Sequence, residues 1–133
     1  LPPIEISLAT DTDRATIYRL RHEVYAAELM QHPSSDTSML MDPLDDFNTY
    51  IVAKESSAIV GFISITPPQK NTYSIDKYFS RTEIPFAIDE RTFEIRLLTV
   101  VKAYRGKPLA LLLMWAAFRW IQSFGGATLM ASG

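Results

Sequence analysis

The sequence predicts a single α/β domain over residues 1–133, of the α+β kind, in which a mixed, partly antiparallel central sheet is flanked by helices. Three observations predict it. A chain of 133 residues that is 47% hydrophobic can build one core but not comfortably two. Residues 48–68 read as two strands around a polar "KESS" turn, a connection so short that the pair must be antiparallel. Residues 92–132 read as strand, helix, strand, with the length of a right-handed parallel crossover.

The elements follow in order. "IEISLAT", residues 4–10, alternates apolar and polar side chains as a half-buried strand does. Residues 10–13 then offer N-cap chemistry to a helix in which Ile17, Leu20, Val24 and Ala27 recur at helical spacing, with Arg14, Arg19 and Glu23 left for water. "QHPSSDTSMLMDPLDD" holds two prolines among serines and acids and reads as a long loop, a feature often functional in small domains. The hairpin ends at Pro67 and Pro68.

Residues 69–91 are irregular, with a short helix expected near 75–79 and Tyr73, Tyr78, Phe79 and Phe86 set among charges. Those rings either line a substrate pocket, with Phe79 the candidate contact, or pin the loop to the core. "TFEIRLLTVV" is a strand. From 108 to 124 apolar residues cover nearly every helical face, led by Leu109, Leu112, Leu113, Ala116, Trp120 and Ile121, so the helix should be buried. Gly125 and Gly126 suit a C-cap, and "ATLMAS" begins a last strand.

Composition removes several function classes. Net charge is -2 with Lys and Arg scattered, which argues against a nucleic-acid partner. There is no cysteine, hence no disulfide framework, thiolate metal site or cysteine nucleophile, and His22 and His32 alone make no histidine-rich metal site. Both histidines are expected at the surface. The longest apolar stretch is too short to span a bilayer, and the N-terminus lacks a basic region followed by an apolar one, so a soluble, cytoplasmic protein with no membrane partner is expected. The chain starts without Met and stops directly after a strand, which reads as an excerpt of something longer.

The chemistry concentrates in "EIRLLTVVKAYRGKPLALLLMWAAF". A strand that runs through a tight turn into a helix aims the helix's unpaired N–H groups and positive dipole end at the strand's C-terminal edge, where anions bind. Arg105 adds paired donors, and Gly106 allows close backbone approach. A P-loop is rejected, because Pro108 follows "GK" and Val101 stands at the leading glycine position; a Rossmann fingerprint fails for want of glycines.

This segment resembles the acyl-CoA-binding core of the GNAT N-acyltransferase superfamily, where an acid-bearing strand runs into an Arg/Gln-x-x-Gly-x-Gly/Ala loop around the coenzyme A pyrophosphate. Arg105 matches the first loop position and Ala110 the last; Pro108 stands where the middle glycine belongs. The N-terminal half is similar, more weakly, to the acyl-homoserine-lactone synthases. "LRHEVYAAEL" matches their first helix through Arg21 and Tyr25, "DPLD" their acidic pair, Tyr50 their Tyr-bearing strand, and "GFISITPP" a further strand. Ser64 and Leu97 occupy positions where that family has arginines.

The resemblance implies an N-acyltransferase that moves an acetyl or longer acyl group from acyl-CoA (coenzyme A) to a small-molecule or peptide primary amine, in a ternary complex and without a metal. Glu94 would be the general base; the residue-level alternative is a pair with Arg96 on the same strand face. Leu98, Thr99 and Val100 would hold the pantetheine arm through the backbone. Arg105, Gly106, Lys107, Leu109 and Ala110 would take the pyrophosphate. Arg21, Tyr25, Asp45 and Phe79 are the candidate acceptor contacts, although for Asp45 a place in a solvated acidic loop is the preferred reading. The other expectations are a non-catalytic GNAT-like module that binds acyl-CoA or a protein partner, and a lactone-synthase-like acyltransferase. A sheet ending at its fifth strand would leave that strand as an exposed edge and part of the last helix uncovered, to be completed by a further segment or a second copy in a homodimer.

Overall fold

The computed structural model describes residues 3–23 and 47–131. Its element order is β1 (Ile4–Leu8), α1 (Asp11–Arg21), β2 (Thr49–Glu55), β3 (Ala58–Thr66), β4 (Thr92–Val100), α2 (Leu109–Ser123) and β5 (Thr128–Ala131). The strands form one sheet in the order β1-β2-β3-β4-β5. The first three pairings are antiparallel and β4–β5 is parallel, as the connection lengths predict. The loop at 31–46 and the extension of the first helix toward Ala27 lie outside the described residues.

Local chemistry accounts for the joints. Thr10 caps α1: its Oγ1 accepts the Asp13 N–H at 3.1 Å, and the Asp13 carboxylate accepts the Thr10 N–H at 2.9 Å. Asp13 also meets Lys54 at 3.0 Å, which ties α1 to β2. Ser56 and Ser57, both at positive φ, make the two-residue hairpin turn whose twist suits antiparallel strands.

Each sheet face carries its own helix. On one side Ile51, Ala53, Ile63, Ile65, Phe93 and Ile95 pack against Leu109, Leu113, Ala117 and Ile121 of α2. On the other, Tyr50, Val52 and Phe62 pack against Ile17 and Tyr18 of α1. The α2 contact follows an i, i+4 ridge through Ala117, a residue outside the stripe expected from sequence. Leu112, expected inside, is 43% exposed, while Leu111 and Trp115 are exposed at 73% and 63%. The helix is buried on one face only, because the sheet is its only covering layer among the described residues. No helix among these residues is long and apolar enough to cross a membrane.

β4 changes face partway along. Ser64 pairs with Arg96 and Phe62 with Thr99, so Leu97 and Leu98 together oppose the single residue Ile63. That is a β-bulge, with Leu97 at φ 58, a left-handed conformation that costs a non-glycine residue about 1 kcal/mol or more. Before the bulge Phe93 and Ile95 face α2; after it Leu98 and Val100 do, and Leu97 turns to the α1 side.

Candidate active site

The α1 side of the sheet carries a strip of buried polar groups. Strand pairing places Thr66 beside Glu94 and Ser64 beside Arg96, with Tyr50 beside Ser64. All five, and Asn48 next to them, are buried. Asn48 links two of them, its amide donating to Ser64 Oγ at 3.0 Å and accepting from Thr66 Oγ1 at 2.9 Å. Arg21, 3% exposed at the end of α1, directs Nη1 at Tyr50 Oη, 3.4 Å away. Unmatched polar atoms are costly to bury, so such a strip is kept where hydrogen bonds are satisfied or chemistry needs it.

Glu94 is completely buried in this strip. Its Oε1 accepts the Ser74 N–H at 2.8 Å and its Oε2 accepts the Ile75 N–H at 3.1 Å. The carboxylate therefore closes the N-terminus of the short 3₁₀ turn Ser74–Lys77, the short helix expected near 75–79. It makes no ion pair with Arg96: the salt bridges among the described residues are Lys54–Asp13 and Arg81–Asp76. Two backbone donors stand where the alternative reading put the Arg96 cation.

The aromatic loop divides between its two readings. Tyr73 is 1% exposed and donates its hydroxyl to Thr92 O at 2.7 Å, so it pins the loop to β4. Burial pushes its phenol pKa up. Tyr78, Phe79 and Phe86 are exposed at 72%, 50% and 44%, so these three rings do not anchor it.

At the C-terminal end of β4 the chain passes through the 3₁₀ turn Lys102–Tyr104 to Arg105, Gly106, Lys107 and Pro108, and then into α2. Arg105 Nε donates back to Val100 O at 3.1 Å, which fixes the loop's base to the strand. Gly106 adopts φ +83 with open space where a Cβ would stand, so glycine is required for its conformation rather than for packing. Lys107 lies over the Tyr104 ring.

Pro108 takes the N-cap position, at φ -74, so its missing N–H falls ahead of the helix rather than inside its first turn. Leu112 N–H to Pro108 O is the first helical bond. The N–H groups of Gly106, Leu109, Ala110 and Leu111 meet no backbone acceptor among the described residues. No acid stands in the first turn of α2, and Lys102, Arg105 and Lys107 are exposed around it. Unpaired donors, a helix's positive end and three cations can hold a diphosphate.

Of the residues singled out in the sequence, Leu98, Thr99 and Val100 therefore lie at and after the bulge, and Arg105, Gly106, Lys107, Leu109 and Ala110 form the loop and first turn of α2. Glu94 and Arg21 both belong to the buried polar side. Tyr25, Asp45 and His32 lie outside the described residues. His22, expected at the surface, is half-buried; it follows Arg21 at the end of α1, and its Nε2 is shielded from solvent without a hydrogen-bond partner.

Sequence reasoning missed Asn48, Thr66, Thr92, Asp76 and Arg81. A signal existed for two of them: Thr66 and Thr92 continue, with Ser64, Glu94 and Arg96, a period-two polar pattern in strands that are otherwise apolar.

Comparison with known proteins bears on the fold and the family. The structure matches the CoA-dependent acyl-homoserine lactone synthase BjaI, solved with SAM and isopentyl-CoA, with a TM-score of 0.83 at 22% identity over 97% of this chain. This chain spans 66% of that protein's. It also matches the acyl-homoserine lactone synthase LasI, with a TM-score of 0.77 at 16% identity, covering 98% of this chain and 72% of that one. An N-acetyltransferase structure from Lactobacillus plantarum gives 0.68 at 19% identity, covering 98% and 75%. No curated protein matches by sequence. The family model of the acetyltransferase (GNAT) domain matches residues 20–115, most of the chain, and on that match this chain belongs to the GNAT acetyltransferase family.

Proposed function

We propose that the protein is an N-acyltransferase that moves an acyl group from acyl-CoA to a primary amine by direct attack within a ternary complex. The observation that carries this reading is the set of unpaired donors at Gly106 and Leu109 to Leu111, ringed by Lys102, Arg105 and Lys107, at the end of a bulged strand that bears a buried carboxylate. The likeness to BjaI, whose structure holds isopentyl-CoA, supports an acyl-CoA donor.

Bound acyl-CoA would supply the activated thioester. The chain's own groups do the rest. Gly106, Leu109 and Ala110 hold the pyrophosphate through backbone N–H groups, and Arg105 and Lys107 through their side-chain charge. Backbone groups of Leu98, Thr99 and Val100 align the pantetheine arm and polarise the thioester oxygen. The amine nitrogen attacks the carbonyl carbon, the C–N bond forms and the C–S bond breaks. The amine's proton passes to Glu94, directly or through a water, and the departing thiolate takes one from solvent. Each Glu94 oxygen keeps a second lone pair beyond its backbone donor for that transfer. Arg21, Tyr25, Asp45 and Phe79 are the proposed acceptor-side contacts.

Thiol release from acetyl-CoA and longer acyl-CoAs, measured with a panel of primary amines, tests the reading. Amine-dependent release is expected for at least one pair, and Glu94→Gln should lower kcat with little change in acyl-CoA affinity. Equal loss in both would remove Glu94 from the base role. Amine-independent or absent release across the panel would overturn the reading.

A further inference from the structure

Building on the acyltransferase reading above, we propose that Arg81 is a positioning residue for Glu94, acting through the turn formed by residues 73–76. Arg81 lies outside the polar strip and has no part in the roles assigned above. Its guanidinium makes a paired contact with one carboxylate, Nε to Asp76 Oδ1 at 2.7 Å and Nη2 to Asp76 Oδ2 at 3.0 Å. The other side of the fork holds Asn71, Nη1 to its Oδ1 at 3.1 Å and Nη2 to its backbone O at 2.9 Å.

Asp76 passes the constraint on. Its Oδ2 accepts the Tyr73 N–H at 2.9 Å, so the carboxylate bridges the first and last residues of a four-residue turn. Between those ends lie Ser74 and Ile75, whose N–H groups meet the two oxygens of Glu94. The Tyr73 ring lies under Arg81, 5.4 Å from its guanidinium carbon, while its hydroxyl donates to Thr92 O, two residues before Glu94 on β4. Position is thereby fixed by Tyr73 and conformation by the Arg81–Asp76 pair. A lysine could supply the charge but not the fork that reaches Asp76 and Asn71 together.

A purely structural role predicts something different. The Arg81 and Asp76 side chains are 35% and 29% exposed, and pairs so open to solvent add little to stability. If the pair instead presents two donors to a buried catalytic carboxylate, its loss costs more in rate than in folding.

The test is a cycle on the full chain, with acetyl-CoA and an amine that it acylates. Arg81→Met and Arg81→Lys should each lower kcat by about ten- to a hundredfold, with KM for acetyl-CoA unchanged. In a Glu94→Gln background Arg81→Met should lower kcat no further. An undiminished kcat, or an equal further loss in that background, would overturn the proposal. Asp76→Asn cuts the same link and gives the same reading should the Arg81 variants fold poorly. Amide hydrogen exchange keeps this separate from the acyltransferase reading: even in a chain that transfers nothing, Arg81→Met should speed exchange at Ser74 and Ile75 by about tenfold, and unchanged exchange there would refute the link.

Discussion

Gly61→Ala probes the joint between the fold and the proposed diphosphate cradle. Gly61 lies on β3 opposite Val100, where α2 crosses the end of β4. A Cβ there would stand 3.1 Å from Leu113 Cδ1, 3.1 Å from Thr99 O and 3.4 Å from Leu109 Cδ2. The leucine methyls can rotate aside, but Thr99 O belongs to backbone just past the bulge, so β3 must draw away from β4 and from the first turns of α2 by a few tenths of an ångström. Overpacking of this kind costs about 1–3 kcal/mol, and the lower unfolded-state entropy of alanine returns about 0.4–1, leaving about 1–2 kcal/mol of destabilisation. For a chain of this size that corresponds to a Tm lower by about 3–10 °C. Because Leu109 opens the cradle, coenzyme A affinity should also fall, by about three- to tenfold. Thermal unfolding and calorimetric titration measure the two effects. Gly106→Ala is the control: it meets open space but must hold φ +83, so it should strain the loop by about 1 kcal/mol without disturbing the core. A Gly61→Ala protein with wild-type Tm and affinity would refute the close approach of α2 and Thr99 to β3 at Gly61.

Leu113→Ala removes a completely buried side chain from the α2 ridge and should cost about 2–5 kcal/mol in urea unfolding. Arg105→Ala should weaken coenzyme A binding by about tenfold and flatten its salt dependence, while loss of its bond to Val100 O lowers stability by about 1 kcal/mol at most. Hydrogen bonds from Arg81 hold the Asp76 carboxyl below the ordinary aspartate value of 3.8. The folded protein then binds that proton less readily than the unfolded chain, so the stability it contributes is present above about pH 3.8 and is lost as pH falls through the folded value. Asp76→Asn should flatten that acid limb in a pH series of unfolding midpoints.

The fold was legible because its signals are periodic or set by connection length. A two-residue hairpin turn at Ser56 and Ser57 forces antiparallel pairing, and the crossover after β4 forces parallel pairing, whatever the side chains do. The strand, loop and helix start that carry the proposed cradle were legible for a similar reason: Arg105, Gly106 and the first turn of α2 are contiguous, so local sequence carries their geometry. The surroundings of Glu94 were not. Its partners are backbone N–H groups of Ser74 and Ile75, twenty and nineteen residues away, and a backbone donor leaves no mark in composition. The same holds for the β4 bulge, since Leu97 at positive φ is not a residue type that announces such a turn. The uneven burial of α2 was hidden too, because an all-round apolar helix gives no phase from which to read the covered face.

Titration of the isotope-labelled protein with coenzyme A, followed at the backbone amides by NMR, asks whether the donors at the start of α2 meet the ligand. Saturable binding is expected below millimolar ligand, with the largest shifts at Gly106, Leu109, Ala110 and Leu111. No binding at millimolar coenzyme A, or shifts confined to other parts of the chain, would contradict it.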